Sequence, residues 1–445
     1  MSSPERVSLV FVPGKIPSYT YNPRTELNLE EKLRDYLEEG GSILTLSGPT
    51  KTGKTVLVER VVERVAKFDG HGIDTVNELW ARVIDSLGGF TDIEYTKSAS
   101  ESASETLSAR ANLVVGDITG TSERQGSDGS GSRVAVTRPL ASVSKDGLVN
   151  SGAALVIDDF HFIDRPVQTQ IVRALKPLVL AGVPVILVSI SHRVQDVVTA
   201  EPDMTGRVSS IVADFWSDDE LTLIAKKGFA VLNVSDPANV IANKLAEASY
   251  RSPHLMQRFC REICKLNGIR ETSESLVALN PPTDWSEFFA EQTDGASADW
   301  FSKLLRGAQE RGKARTKWPT VEFGALDYYG VTLAAIAKTG PKLTLTKDEI
   351  RTAAESVVQG SGPAANQVTR ALIHFSKLAS ARIGSAAPTA TELDSDEGES
   401  IHDVQPVLEY IDEGPSSKLH IADPFFAHFV RYGSGDLLRV EGGAE

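Results

Sequence analysis

Cysteine is almost absent from this chain. There are two thiols in 445 residues, Cys260 and Cys264. They sit four apart in a helical pattern, where a disulfide is geometrically poor and nothing nearby completes a metal site. A disulfide-built scaffold is excluded, and reduced core thiols in a cytoplasmic protein are expected. Long apolar runs are absent too. The longest, "PLVLAGVPVILVSI", is interrupted by Gly182 and Pro184, so it reads as a helix end followed by a buried strand and not as a membrane span. "MSSPERVSLVFVPG" lacks the basic-then-apolar layout of a signal peptide. Positive charge is in short supply: the net charge is -14. An acidic chain is on average repelled by nucleic acid, which argues against a protein that coats DNA or RNA but permits a local basic patch.

What is present is ordinary for globular domains: 41% hydrophobic and 24% charged residues, over a length that calls for two or three domains. Leu27, Leu29, Leu33 and Leu37 recur at helical spacing before Gly40 and Gly41. A strand at 42–47 and a helix from about Lys54 to Lys67 follow, then an amphipathic helix in "TVNELWARVIDSLGG". Residues 93–149 are rich in Ser, Thr, Gly, Ala and charge, and read as a weakly ordered insertion with a short β ribbon ("NLVVGDI", "SRVAVT") as an option. Apolar strands return in "GAALVIDDF", "VPVILVSI" and "VSSIVADF", separated by helical pattern. Near-continuous apolar strands alternating with helices predict an α/β fold with a parallel sheet covered on both faces. Residues 216–267 read as all-helical. Residues 268–324 form a looser linker with one helix, "ADWFSKLLRGAQERG". In 325–433, three helices precede the apolar β-like runs "PVLEYID" and "SKLHIADPFFAHFVRYG", the order of a winged-helix module. Residues 434–445 read as a tail.

The stretch "SGPTKTGKT" fits the pattern G-x-x-x-x-G-K-S/T through Gly48, Gly53, Lys54 and Thr55. It lies between a strand and a helix. Glycines there let the backbone of Pro49, Thr50, Lys51 and Thr52 curl so that successive N–H groups point inward at phosphate oxygens, and the helix start adds its positive dipole end. Lys54 is placed for the β- and γ-phosphates of ATP or ADP, and Thr55 for Mg²⁺. "ALVIDD" puts Asp158 and Asp159 at the carboxyl end of an apolar strand, the edge where parallel sheets bind ligands. Asp158 is expected to hold Mg²⁺ and Asp159 to orient the attacking water.

Softer candidates surround these. His161 either senses the γ-phosphate or packs. Ser189, Ser191 and His192 end a strand, where a polar side chain contacts phosphate or is merely exposed. Arg207 is either an arginine finger, for its own site or a neighbour's, or a surface ion-pair partner. Arg251 and Pro253 open a helix of the 216–267 segment; Arg251 is a candidate phosphate sensor, and Pro253 shapes an adenine pocket or simply starts the helix. Arg306, Arg311, Lys313, Arg315 and Lys317 form a basic run suited to nucleic-acid phosphates or, as favoured by the acidic total, to a solvated helix end.

In their order, "LTLSGPTKTGKT", "LVIDDFHFID", "MTGRVSSIVADFWSDDELTLIAKKGF" and "SPHLMQRFC" resemble the STAND class of AAA+-related P-loop ATPases, of archaeal and bacterial type. The C-terminal "PVLEY…KLHIADPFFAHFVRYG" is similar to the end of their winged-helix domain. The resemblance implies a P-loop NTPase core at 42–215, an adenine-side segment at 1–41, a helical lid at 216–267 and a winged-helix domain at 325–433. It implies a nucleotide-driven switch that hydrolyses ATP slowly, with self-association or a partner protein completing its action. Asp159 stands where many such ATPases carry glutamate. Two other readings remain: a DNA-acting loader or transposition-type ATPase, using the winged helix and the basic run, and a nucleotide-binding scaffold that scarcely turns over.

Overall fold

Five strands carry the nucleotide-type pattern: β1 (Ile43–Ser47), β2 (Val65–Asp69), β3 (Ala154–Asp158), β4 (Val185–Ser189) and β5 (Val208–Val212). They pair in parallel in the order β2-β3-β4-β1-β5. A computed structural model describes residues 4–88, 90–93, 109–112, 139–190, 206–310, 314–381, 383, 388–394 and 406–443. The near-continuous apolar character of β1, β3 and β4 follows from burial on both faces. Ile43, Leu155, Ile157, Val185 and Leu187 point into one core, shared with α3 (Val76–Ser86), α4 (Leu140–Ser151) and α5 (Arg165–Leu180). Their strand neighbours Leu44, Leu46, Val156, Ile186 and Val188 point into the other, with α1 (Leu29–Glu39) and α2 (Lys54–Val61). Tyr36 of α1 fastens that layer: its hydroxyl donates to the carbonyl oxygens of Ser42 and Val185 in alternative bonds of 2.9 and 2.7 Å and accepts the Val185 N–H.

Two expectations change here. The helix after Thr55 ends at Val61 instead of Lys67, and "VAKFD" becomes β2. Its register against β3 (Ala66 opposite Leu155, Phe68 opposite Ile157) supplies strand hydrogen bonds and a buried face that outweigh the helical propensity of the run. Residues 140–151, expected within the insertion, form α4, because Leu140, Val143 and Leu148 recur at helical spacing and join the core. Residues 109–112 pair antiparallel with 90–93; 94–108 and 113–138, which include "SRVAVT" and most of "NLVVGDI", lie outside the described residues.

The chain divides into two compact units, the sheet unit (Glu26–Gly48 and Gly53–Ala213) and a second (Met1–Thr25, Pro49–Thr52 and Asp214–Glu445). In the second, α6 (Asp218–Val231), α7 (Val240–Ala248) and α8 (Pro253–Leu266) share a core with Val7, Val10 and Phe11 and with α9 (Trp285–Ala290). Helix α6 begins with a reciprocal cap between Ser217 and Glu220. Both cysteines are buried and free in α8, and burial raises both thiols well above their ordinary range. Helices α10 (Gly295–Arg306), α11 (Tyr328–Lys338), α12 (Lys347–Val357) and α13 (Ala365–Ala379) build a further core. A small antiparallel sheet joins it: β6 (Thr344–Thr346), β7 (Leu408–Ile411) and β8 (Lys418–Ile421), in the order β6-β8-β7. This is the helix, helix, helix, hairpin order read from the sequence, with β6 added between the first two helices.

The run "SKLHIADPFFAHFVRYG" is only partly strand. After β8, Asp423 caps α14 (Pro424–Tyr432). Pro424 cannot continue a strand ladder but suits the first helical turn. Residues expected as a tail form α15 (Ser434–Gly442), with Leu438 fully buried. Among the described residues no helix is long and apolar enough to cross a membrane.

Arg24 ties the N-terminal segment to α6. Its guanidinium bonds Glu220 at 2.9 Å and the carbonyls of Asp214 and Phe215 at 2.7 and 2.8 Å, and lies 4.9 Å over the Trp216 ring. Its side chain is 4% exposed, so truncation strands a carboxylate and two carbonyls away from water. Arg24→Ala is expected to cost about 3 kcal/mol of stability, read from urea unfolding of the full chain, whereas the exposed pair Arg34–Glu30 loses under about 1 kcal/mol on the same change.

Candidate phosphate-loop site

The loop between β1 and α2 is shaped by its glycines. Gly48 has φ 153°, and a Cβ there would lie 2.1 Å from the carbonyl oxygen of Ala213, which itself follows the Ala213 N–H bond to Ser47 O. Gly53 has φ 94° and precedes the first turn of α2. Between them Lys51 adopts φ 59°. The Thr52 hydroxyl donates to Pro49 O at 2.9 Å, and Trp216 Nε1–H donates to Thr52 O at 2.8 Å. Pro49 and Thr50 complete the turn. Trp216 was not legible as a loop support, because nothing in its local pattern distinguishes it from a core aromatic.

Lys54 is 9% exposed and its ammonium donates to Gly48 O at 2.8 Å. Burial pulls it down to about 8, against the opposing attraction of Asp159 and Asp158. The Thr55 hydroxyl donates to Asp158 Oδ2 at 2.9 Å. These two residues, read separately from the sequence, therefore meet at the carboxyl edge of β1 and β3. Asp158 Oδ1 accepts the Asp159 N–H at 3.1 Å. Asp159 itself has φ 51° and begins the turn Phe160–Phe162. Burial first, then the charges of Asp158 and Asp69, raises its carboxyl above the ordinary range.

The sequence reading missed the contribution of β2. Asp69 pairs in register with Asp158, and Gly70 N–H donates to Asp158 O at 2.7 Å. Among the described residues Asp69, His71 and Asp159 place donor atoms within 4.8 Å of one another. Asp69 already accepts from the backbone and ring of His71, each at 2.8 Å. Lys67 reaches Asp158 Oδ2 at 3.4 Å and Glu59 at 2.8 Å. The missed strand hid Lys67, Asp69 and His71: Lys67 was read as the end of a helix, and Asp69 and His71 followed it with no element to place them beside Asp158.

The remaining candidates separate. The ring of His161 lies 4.3 Å from that of Phe162, and Phe162 lies 3.7 Å from His71, both pairs tilted. Ser189 ends β4, fully buried, opposite Ser47; Ser191 and His192 lie outside the described residues. Arg207 is corrected as a residue of its own chain's site. Its carbonyl accepts the Ile43 N–H at the amino end of β1, whereas the phosphate loop leaves the carboxyl end, so about 16 Å of strand lies between them. Arg251 (φ 60°) accepts the Trp216 N–H at 3.4 Å through its carbonyl, and Pro253 occupies the first turn of α8 behind the Ser252 cap. In the basic run, Arg315 turns inward. It pairs with Asp327 at 2.6 Å, donates to Ala308 O and Arg306 O, and lies over Tyr329. Lys317 pairs with Glu441, and Arg311 and Lys313 lie outside the described residues.

Lys51 carries a second arrangement. Its ammonium is 3.2 Å from Asp423 and 3.8 Å from the centre of the Phe425 ring, at the start of α14. Asp423 also accepts the Phe425 N–H at 2.8 Å, and His254 packs edge-on against Phe425 at 5.0 Å. Burial, followed by the charge of Lys51, lowers His254 to about 4.

No family model matches the chain, and no curated protein matches it. Solved structures do. Cdc6p from Pyrobaculum aerophilum is 12% identical, with 98% of this chain and 97% of that one covered at a TM-score of 0.38. The ORC2 protein of Aeropyrum pernix, in its ADPNP–ADP complexes, is 14% identical over 98% of each chain, TM-score 0.47. A RuvB variant of Thermotoga maritima is 14% identical over 65% of this chain and 82% of its own, TM-score 0.35. These likenesses are too distant to transfer a role, and the functional reading rests on the residues above.

The buried Lys54 makes stability depend on pH in a defined direction. Its folded value near 8 lies below the unfolded 10.5, so the unfolded chain holds the extra proton between them and stability rises with pH across that window. The contribution is complete above 10.5 and is lost as pH falls through 8, about 3 kcal/mol in all. Urea unfolding of the nucleotide-free protein at pH 7.5 to 10.5 (about that range) is expected to show this slope, and Lys54→Met to flatten it.

Proposed function

We propose that this chain binds ATP and ADP with Mg²⁺ through Gly48–Thr55 and Asp158, and hydrolyses ATP slowly as a nucleotide-driven switch. The bond from Thr55 to Asp158, beside the buried ammonium of Lys54, carries the nucleotide reading. It brings a hydroxyl and a carboxylate, two hard oxygen donors, to one point next to a turn rich in backbone N–H groups. That donor set fits Mg²⁺, which when bound neutralises phosphate charge and polarises the γ-phosphoryl group. The Lys54 ammonium has three N–H donors; one goes to Gly48 O, so a phosphate drawn to the same ammonium is linked to the shape of the loop. Asp159 is the candidate base or water-orienting group. Its short side chain favours slow turnover, since the general base must lie within reach of the water.

The switch reading is supported by Lys51. It belongs to the phosphate loop, yet its ammonium is gripped by Asp423 and Phe425 of the C-terminal region. A nucleotide that reorganises the loop acts on α14 directly, with a partner protein or a second copy reading out the change. The DNA-acting alternative is less well supported, because Arg315 and Lys317 of the basic run are engaged within the chain.

Limited proteolysis and sizing in ADP and in a non-hydrolysable ATP analogue test the switch. The wild type is expected to change its cleavage pattern or its size between the two nucleotides. Asp423→Asn is expected to blunt that difference while still binding nucleotide. Identical patterns and sizes for the wild type in every state contradict the switch. Asp159→Asn is expected to lower ATP turnover by about 10²-fold or more with nucleotide affinity retained, and unchanged turnover removes Asp159 from the chemistry.

A further inference from the structure

Lys67 has no place in the sequence pattern of a phosphate site, yet its ammonium touches the carboxylate at its centre. It projects from β2 on the face shared with α2. Asp158 Oδ2 is 3.4 Å from Lys67 Nζ, and the same oxygen accepts the Thr55 hydroxyl at 2.9 Å. On its other side Lys67 is held by Glu59 of α2 at 2.8 Å. Asp158 is 13% exposed at its side chain, Lys67 27% and Glu59 32%, so the three charges meet in a half-sheltered layer where they act on one another more strongly than in open water. The strand register fixes this contact: Lys67 lies opposite Val156, one pleat before the Asp69–Asp158 pair.

Resting on the nucleotide and Mg²⁺ reading above, we propose that Lys67 is a specificity-determining residue for the metal, a resident cation that competes with a divalent ion for Asp158. A divalent ion held by Thr55 and Asp158 would compete with a positive charge already in contact with Asp158 Oδ2. Like charges in such proximity disfavour each other. The protein alone therefore binds the ion weakly, and loading requires the negative charge of the nucleotide phosphates. Glu59 sets the balance: it draws Lys67 toward α2, and without it Lys67 falls wholly to Asp158. The site so discriminates between free metal and metal accompanied by phosphate.

Mn²⁺ serves as the probe, its binding followed by electron paramagnetic resonance with and without ADP, together with fluorescent ADP binding in EDTA. Lys67→Met is expected to tighten Mn²⁺ binding by about tenfold or more in the absence of nucleotide, with metal-free ADP binding little changed. Glu59→Gln is expected to move Mn²⁺ affinity the other way. Retained ADP binding in EDTA shows that both variants keep the loop intact. Mn²⁺ affinity that is unchanged or weaker in Lys67→Met overturns the proposal and leaves Lys67 as a strut between β2 and α2. A wild type that binds no ADP overturns the nucleotide reading instead, and the comparison of nucleotide-free proteins still decides the role of Lys67.

Discussion

One carboxylate organises the sheet unit. Asp158 ends β3 at the edge where β1 releases the phosphate loop, and it is shared by the Thr55 hydroxyl, the Lys67 ammonium and the Asp159 backbone N–H. This sharing requires parallel strands in fixed register: Ser47 beside Ser189, and Asp69 beside Asp158. The register is held by apolar side chains that alternate into two cores, one on each face of the sheet. A slip of one residue would move each strand's side chains to the other face, so burial of the sheet and placement of the polar edge are the same constraint.

The second unit is built on different forces. Its helical cores enclose polar anchors, such as Arg24 on Glu220 and the Tyr329–His374–Asp394 chain. Aromatic rings from α8, α9 and α14 meet around His428, whose burial lowers its pKa to about 3 and keeps it neutral. Helix α14 therefore has an apolar side fixed among rings and an N-terminal turn that grips Lys51.

Much of this was legible in the sequence because the relevant signals are local. Glycines at 48 and 53, Lys54 and Thr55 mark a turn with a specific backbone, and "ALVIDD" marks a buried strand with a charged end. The Ser217–Glu220 cap at the start of α6 is a local signal of the same kind. The failures share a cause: they depend on what a segment packs against. "VAKFD" has a helical local pattern until β3 offers it a partner, and with β2 unread, Asp69, His71 and Lys67 could not be placed at the site. Arg207 precedes a strand, and only strand direction tells that it lies at the far edge. Arg315 looks like one charge in a basic run, and only its ion pair with Asp327 and its place over Tyr329 show it engaged within the chain. Helix α14 was hidden inside an apolar run that continues from β8, with Asp423 and Pro424 as the only local sign of the change.

The central claim is that Lys54, Thr55 and Asp158 hold one nucleotide together. Calorimetric titration of MgATP and MgADP into the wild type and Lys54→Ala addresses it most directly. The account predicts saturable binding of one nucleotide per chain in the wild type and its loss in the variant. No saturable heat in the wild type, or equal binding by both proteins, contradicts it.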